Sequence, residues 1–120
     1  MKNEEHHHQV DVFEWAAYQT GKYPGLGLMF AIANGGHRHI AVARKLKAEG
    51  VKAGVPDICL PVPRGAYHGL FIEMKSMKGK TTKEQDDWLV RLGNQGYKTA
   101  VCRGAEAAIG VIKAYMEAGL

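Results

Sequence analysis

Apolar residues recur along the chain in two different periods, and the switch between them outlines a fold. Over residues 4–19, Gln9, Val12, Phe13, Ala16 and Ala17 share one face at helical spacing. Gly21 and Pro24-Gly25 end that helix. Leu28 to Ala33 is a short apolar run that reads as a strand, closed by the turn Asn34-Gly35-Gly36. A second helix is predicted over 38–49, where Ile40, Ala43, Leu46 and Lys47 recur in phase and Gly50 stops the pattern. The period then changes. Asp57 to Leu60 and Leu70 to Lys75 read as strands, joined by a Pro- and Gly-rich segment from Pro61 to Gly69. A third helix spans 82–94, opened by Thr81-Thr82 and closed near Gly96. Tyr97 to Cys102 is another strand. Residues 105–118 form a last helix, with Ala108, Ile109, Ile112 and Tyr115 or Met116 facing inward. The order α-β-α-β-β-α-β-α predicts an α/β fold, a mixed central sheet of about four strands flanked by helices.

Composition narrows the picture little. The chain has 120 residues, 46% hydrophobic and 23% charged, the size of one domain covering 1–120. No apolar run reaches the roughly 20 residues of a membrane span, and no signal-peptide pattern is present. The expectation is a soluble protein in the cytoplasm of a bacterial or phage-infected cell, with no membrane partner. Cys59 and Cys102 lie in apolar runs and read as two buried thiols. The net charge of +4 suits a polyanionic partner. Its positions are more informative: Arg38, Arg44, Lys45, Lys47 and Lys52 form one cluster, and Lys75, Lys78, Lys80 and Lys83 another. A solvated face explains either cluster alone about as well. The run His6-His7-His8 is no metal site by itself, because consecutive helical residues point in different directions.

One strand carries unexpected charge. Side chains alternate along Leu70–Lys75, so Phe71, Glu73 and Lys75 share a face. Buried charges are costly unless paired or bound to a metal. If the hairpin connection is centred near residues 65 and 66, Asp57 lies opposite Glu73 to Lys75, with Cβ atoms ~5 Å apart. Two readings fit the trio: a structural ion pair at a sheet edge, or a pair of carboxylates that holds a hard divalent cation beside an ammonium. Gln85 lies one helical turn before Trp88 and Leu89, on the face of the third helix that points at the sheet. Thr82-x-x-Gln85 has the form of a capping box, yet Thr81-x-x-Glu84 can supply the same cap and leave Gln85 free.

These residues carry a family resemblance. Gly54-Val55-Pro56-Asp57, Glu73-Met74-Lys75 and Gln85-x-x-Trp88 resemble the signature of PD-(D/E)XK nucleases, and most of all its VRR-NUC branch. Phe30 to Gly36, Lys47 to Val51, Gly96-Tyr97 and Cys102-Arg103-Gly104 are also similar to that branch. The resemblance implies a restriction-endonuclease-like fold and hydrolysis of DNA phosphodiesters with Mg²⁺, for which Mn²⁺ would substitute. It implies that Asp57 and Glu73 ligate the metal, with the Met74 backbone carbonyl as a further ligand. Lys75 would position or activate the attacking water, and Gln85 would support the water or the lysine. The family's glutamate on the N-terminal helix maps to Glu5, in the pattern Glu5-x-x-x-Gln9. Glu14 is its rival, nine residues on and about 180° around the helix. Stand-alone members form homodimers that cut branched DNA, including four-way junctions. Lys78, Lys80, Lys83, Arg38 and Arg44 are then candidate DNA contacts. Two alternatives stay open: a flap, nicking or restriction-type endonuclease of the same fold, and a basic DNA-binding module with an inactive site.

Overall fold

A computed structural model describes residues 3–33 and 39–118. The elements are α1 (Asn3–Tyr18), a 3₁₀ turn (Pro24–Leu28), β1 (Phe30–Ala31), α2 (Ile40–Ala48), β2 (Ile58–Leu60), β3 (Leu70–Lys75), α3 (Lys83–Asn94), β4 (Lys98–Arg103) and α4 (Ala105–Glu117). The strands lie in the order β1-β2-β3-β4. The first three pair antiparallel, while β4 joins β3 in parallel after the crossover through α3. This is the predicted mixed α/β arrangement.

One face of the sheet builds the core. Ile58, Leu60, Leu70, Ile72 and Met74 meet Val12 and Ala16 of α1 and Ala108, Ile112, Tyr115 and Met116 of α4. Leu70, Ile72 and Met74 are fully buried, each worth roughly 1.5–3 kcal/mol relative to exposure. Tyr115 donates its hydroxyl hydrogen to the Val62 carbonyl at 2.5 Å, so α4 is tied to the far end of β2. Cys59 and Cys102 are buried free thiols, and burial pushes the Cys102 thiol up to about 11. Helix α3 adds nothing to this core and packs along β4.

Two local expectations change. The 3₁₀ turn set off by Pro24-Gly25 takes Leu28 out of the strand, so β1 is only Phe30–Ala31. Ala17 is exposed rather than part of the inner stripe of α1. The second helix forms as predicted, but none of its residues is buried and Leu46 alone is half-covered. The Asn34-Gly35-Gly36 turn lies outside the described residues. Among those described, no helix is long and apolar enough to cross a membrane.

Candidate active site

The hairpin register sets the site. Ile58 pairs with Ile72 and Leu60 with Leu70, so the next position carries Asp57 to Glu73. The Asp57 side chain closes the contact itself: its Oδ2 accepts a hydrogen bond from the Met74 N–H at 2.7 Å. One residue further, Pro56 falls opposite Met74. Proline has no N–H with which to continue the ladder. Residue 56 therefore offers the Met74 backbone no hydrogen-bond donor. Sequence reasoning missed this role of Pro56, although the register alone implies it.

Glu73 is 2% exposed, and Lys75 is also buried. Lys75 Nζ lies 3.4 Å from Glu73 Oε2. The other oxygen, Oε1, is buried without a hydrogen-bond partner. Burial raises the Glu73 carboxyl to about 8, Asp57 adds to the rise, and Lys75 opposes it. The ammonium therefore does not compensate the pair fully. A buried carboxylate with an orphaned oxygen, beside a second carboxylate, is a donor set completed by either a proton or a cation. All its donors are hard oxygens, which fits a hard divalent cation. Among the described residues no three His, Cys, Asp or Glu side chains converge on a metal position. Two carboxylates, the Met74 carbonyl and water are what this chain offers a cation there.

These groups open into a cleft of about 360 Å³, lined by Glu5, Gln9, Ala31, Ile32, Ala33, Gly54, Asp57, Glu73, Lys75 and Gln85. The side chains singled out in the sequence as Asp57, Glu73, Lys75, Gln85 and Glu5 thus share one cavity. Glu14 does not line it; it borders a separate groove along α1 with Val10, Phe13 and Ala17. Gln85 departs from expectation in one respect. Thr82, not Thr81, caps α3, and the capping box is made with Gln85: Thr82 N–H donates to Gln85 Oε1 at 2.9 Å, and Gln85 N–H to Thr82 Oγ1 at 3.2 Å. The carbonyl end of Gln85 is committed to the helix, so only its amide NH₂ can serve the cleft. Packing selects this cap. Gly54, at φ +86, lies so close to Glu84 that a Cβ there would sit 2.9 Å from the Glu84 backbone. Trp88 Nε1 donates to the Ala53 carbonyl at 3.0 Å. Both contacts press the start of α3 against the loop before Asp57.

The basic residues divide. Lys78, Lys80 and Lys83 are exposed on the segment between Lys75 and Gln85, beside the cleft. Arg103 Nη2 donates to the Gly79 carbonyl at 3.0 Å and steadies that segment. Arg44 is exposed on α2, outside the cleft lining. Arg38 lies outside the described residues.

Comparison with known proteins gives a consistent result. A sequence model of the VRR-NUC domain matches residues 3–106. The chain belongs to the VRR-NUC family. A solved structure named "VRR_NUC domain protein" is similar to it at a TM-score of 0.84 and 32% identity, covering 99% of this chain and 93% of that one. No curated protein sequence matches. Membership in the VRR-NUC family makes this a nuclease-type domain, with nucleic acid as the class of substrate.

Proposed function

We propose that this VRR-NUC protein is a Mg²⁺-dependent endonuclease that hydrolyses DNA phosphodiesters, with Mn²⁺ able to substitute. The observation that carries the reading is the buried Glu73 carboxylate, orphaned at Oε1 beside Asp57 and next to Lys75. Asp57, Glu73 and the Met74 carbonyl would hold the cation. When bound, it polarises a phosphoryl oxygen and acidifies a water. Lys75 orients the attacking water and stabilises charge growing on the phosphate. The Gln85 amide donates a further hydrogen bond in the cleft, and Glu5 faces it from α1. In the reaction the water oxygen bonds to phosphorus and a bridging P–O bond breaks. The attacking water gives up a proton to solvent, and the leaving oxygen takes one from it. Lys78, Lys80 and Lys83 neutralise phosphates on either side without reading bases.

The proposed substrate is branched DNA, with a four-way junction cut by a homodimer. Symmetric incision of a junction needs two sites related by a two-fold axis. Incubation of the protein with labelled four-way junction, flap, linear duplex and single strand, in Mg²⁺ or Ca²⁺, tests this. Paired symmetric cuts on the junction support it. Cuts confined to the flap or the duplex replace it with the flap, nicking or restriction-type activity. Binding with no cleavage in Mg²⁺ or Mn²⁺ leaves a DNA-binding module and ends the nuclease claim. Lys75→Ala is expected to remove cleavage and keep binding; equal loss of both would make Lys75 a DNA contact.

A further inference from the structure

The turn from β4 into α4 is made by Arg103, Gly104 and Ala105. A helix begins with unpaired N–H groups. Gly104, at φ +95, has no side chain with which to cap them. The acceptor comes instead from the other end of the chain: Ala105 N–H donates to His8 Nδ1 on α1 at 3.1 Å. The imidazole lies along Gly104, where a Cβ would stand 3.6 Å from His8 Cε1. Acceptance at Nδ1 places the ring proton on Nε2, which faces Glu4 Oε1 at 3.9 Å one turn back. His6 and His7 are exposed, and their rings meet edge to face. Among the described residues, His8 is the one of the three consecutive histidines that bonds to another element.

That bond has a particular place on α1. The helix is anchored in the core by Val12 and Ala16. Before Val12, none of residues 4–11 is buried. Yet this unburied half carries Glu5 and Gln9 into the cleft that holds Asp57 and Glu73. Gln9 Oε1 is buried there without a hydrogen-bond partner, so it does not tie the helix down. The same β4–α4 turn also receives the basic segment, through Arg103 and Gly79. It is a fixed point to which two walls of the site are moored.

We propose that His8 is a positioning residue for the cleft. Its imidazole caps α4 and thereby fixes the first turns of α1, so that Glu5 and Gln9 stand over the Asp57 and Glu73 carboxylates. This rests on the nuclease reading, in which Glu5 serves the reaction. Two variants separate the acceptor from the bulk of the ring. His8→Leu keeps volume and loses the acceptor; His8→Asn places Oδ1 where Nδ1 stands. His8→Leu is expected to lower kcat on the cleaved DNA about tenfold with KM unchanged, and His8→Asn to restore it to within about twofold. Residues that act as a unit give non-additive losses, so Glu5→Gln combined with His8→Leu is expected to be no slower than Glu5→Gln alone. Amide hydrogen exchange over residues 4–11 should quicken in His8→Leu and not in His8→Asn. Additive losses, full activity in His8→Leu, failure of His8→Asn to restore kcat, or a silent Glu5→Gln would each overturn the proposal. If the wild-type protein cuts no DNA, the nuclease reading fails by itself. Exchange over residues 4–11 then still decides whether His8 moors α1, and unchanged exchange in His8→Leu refutes that.

Discussion

The Glu73 carboxyl makes the metal-free protein sensitive to pH in an unusual direction. Its value is raised from 4.5 to about 8 by burial first, and then by Asp57. Below about pH 4.5 the folded and unfolded chains both hold the proton, and the group costs nothing. Between 4.5 and 8 the folded chain keeps a proton that the unfolded chain has released, so stability falls as pH rises. Above 8 the loss levels off. At ~1.4 kcal/mol per pH unit, the full displacement is worth about 5 kcal/mol. The measured loss should be of that order, a large part of the stability of a small domain. Urea unfolding in EDTA at pH 5, 6, 7, 8 and 9, for the wild type and Glu73→Gln, isolates the contribution. The neutral amide should remove most of the slope and leave the variant the more stable of the two at pH 8. Ca²⁺ should restore the wild type at pH 8 and do little for the variant. Calorimetry in buffers of different ionisation enthalpy should show about one proton released per cation bound at pH 7. Equal slopes in wild type and Glu73→Gln, or wild-type stability that rises from pH 5 to 8 relative to the variant, would refute a raised Glu73 carboxyl.

Three further outcomes follow from the geometry. Gly54→Ala forces a Cβ to within 2.9 Å of the Glu84 backbone at a left-handed φ; thermal melts should show a loss of about 1–3 kcal/mol. Gln85→Ala should cost about 1 kcal/mol through the lost capping box and also slow cleavage, whereas Gln85→Glu keeps the cap, so that any remaining loss of rate measures the amide NH₂. Changing Lys78, Lys80 and Lys83 together to Ala should flatten the slope of log K against log salt by up to about 2.7, in binding titrations with duplex DNA, if each meets one phosphate.

The centre of the site was legible in the sequence because it depends on local register. A connection centred near residues 65 and 66 is enough to carry Asp57 to Glu73, and the observed pairing of Leu60 with Leu70 does so. The cap of α3 was not, because Thr81-x-x-Glu84 and Thr82-x-x-Gln85 satisfy the same pattern. The choice falls to the approach of Gly54 to Glu84, which lie 30 residues apart in the sequence. Period alone placed α2 correctly, but the helical spacing of Ile40, Ala43 and Leu46 says which residues share a side and not whether that side is covered. The role of His8 depends on Ala105, 97 residues away. Its one trace in the sequence is a glycine where α4 needs a cap.

The exposed helix α2 gives the enzyme a port for grafting. Ala31 and Ile58 are paired neighbours on β1 and β2, so the chain between them departs from the sheet edge and comes back to the adjacent strand. The core takes no side chain from α2, and closure entropy grows only with the logarithm of length, about 0.6 kcal/mol for each doubling. A recognition module spliced into the exposed turns of α2 would leave the ladder, the core and the carboxylate pair in register. What the nuclease meets could then be exchanged independently of how it cuts.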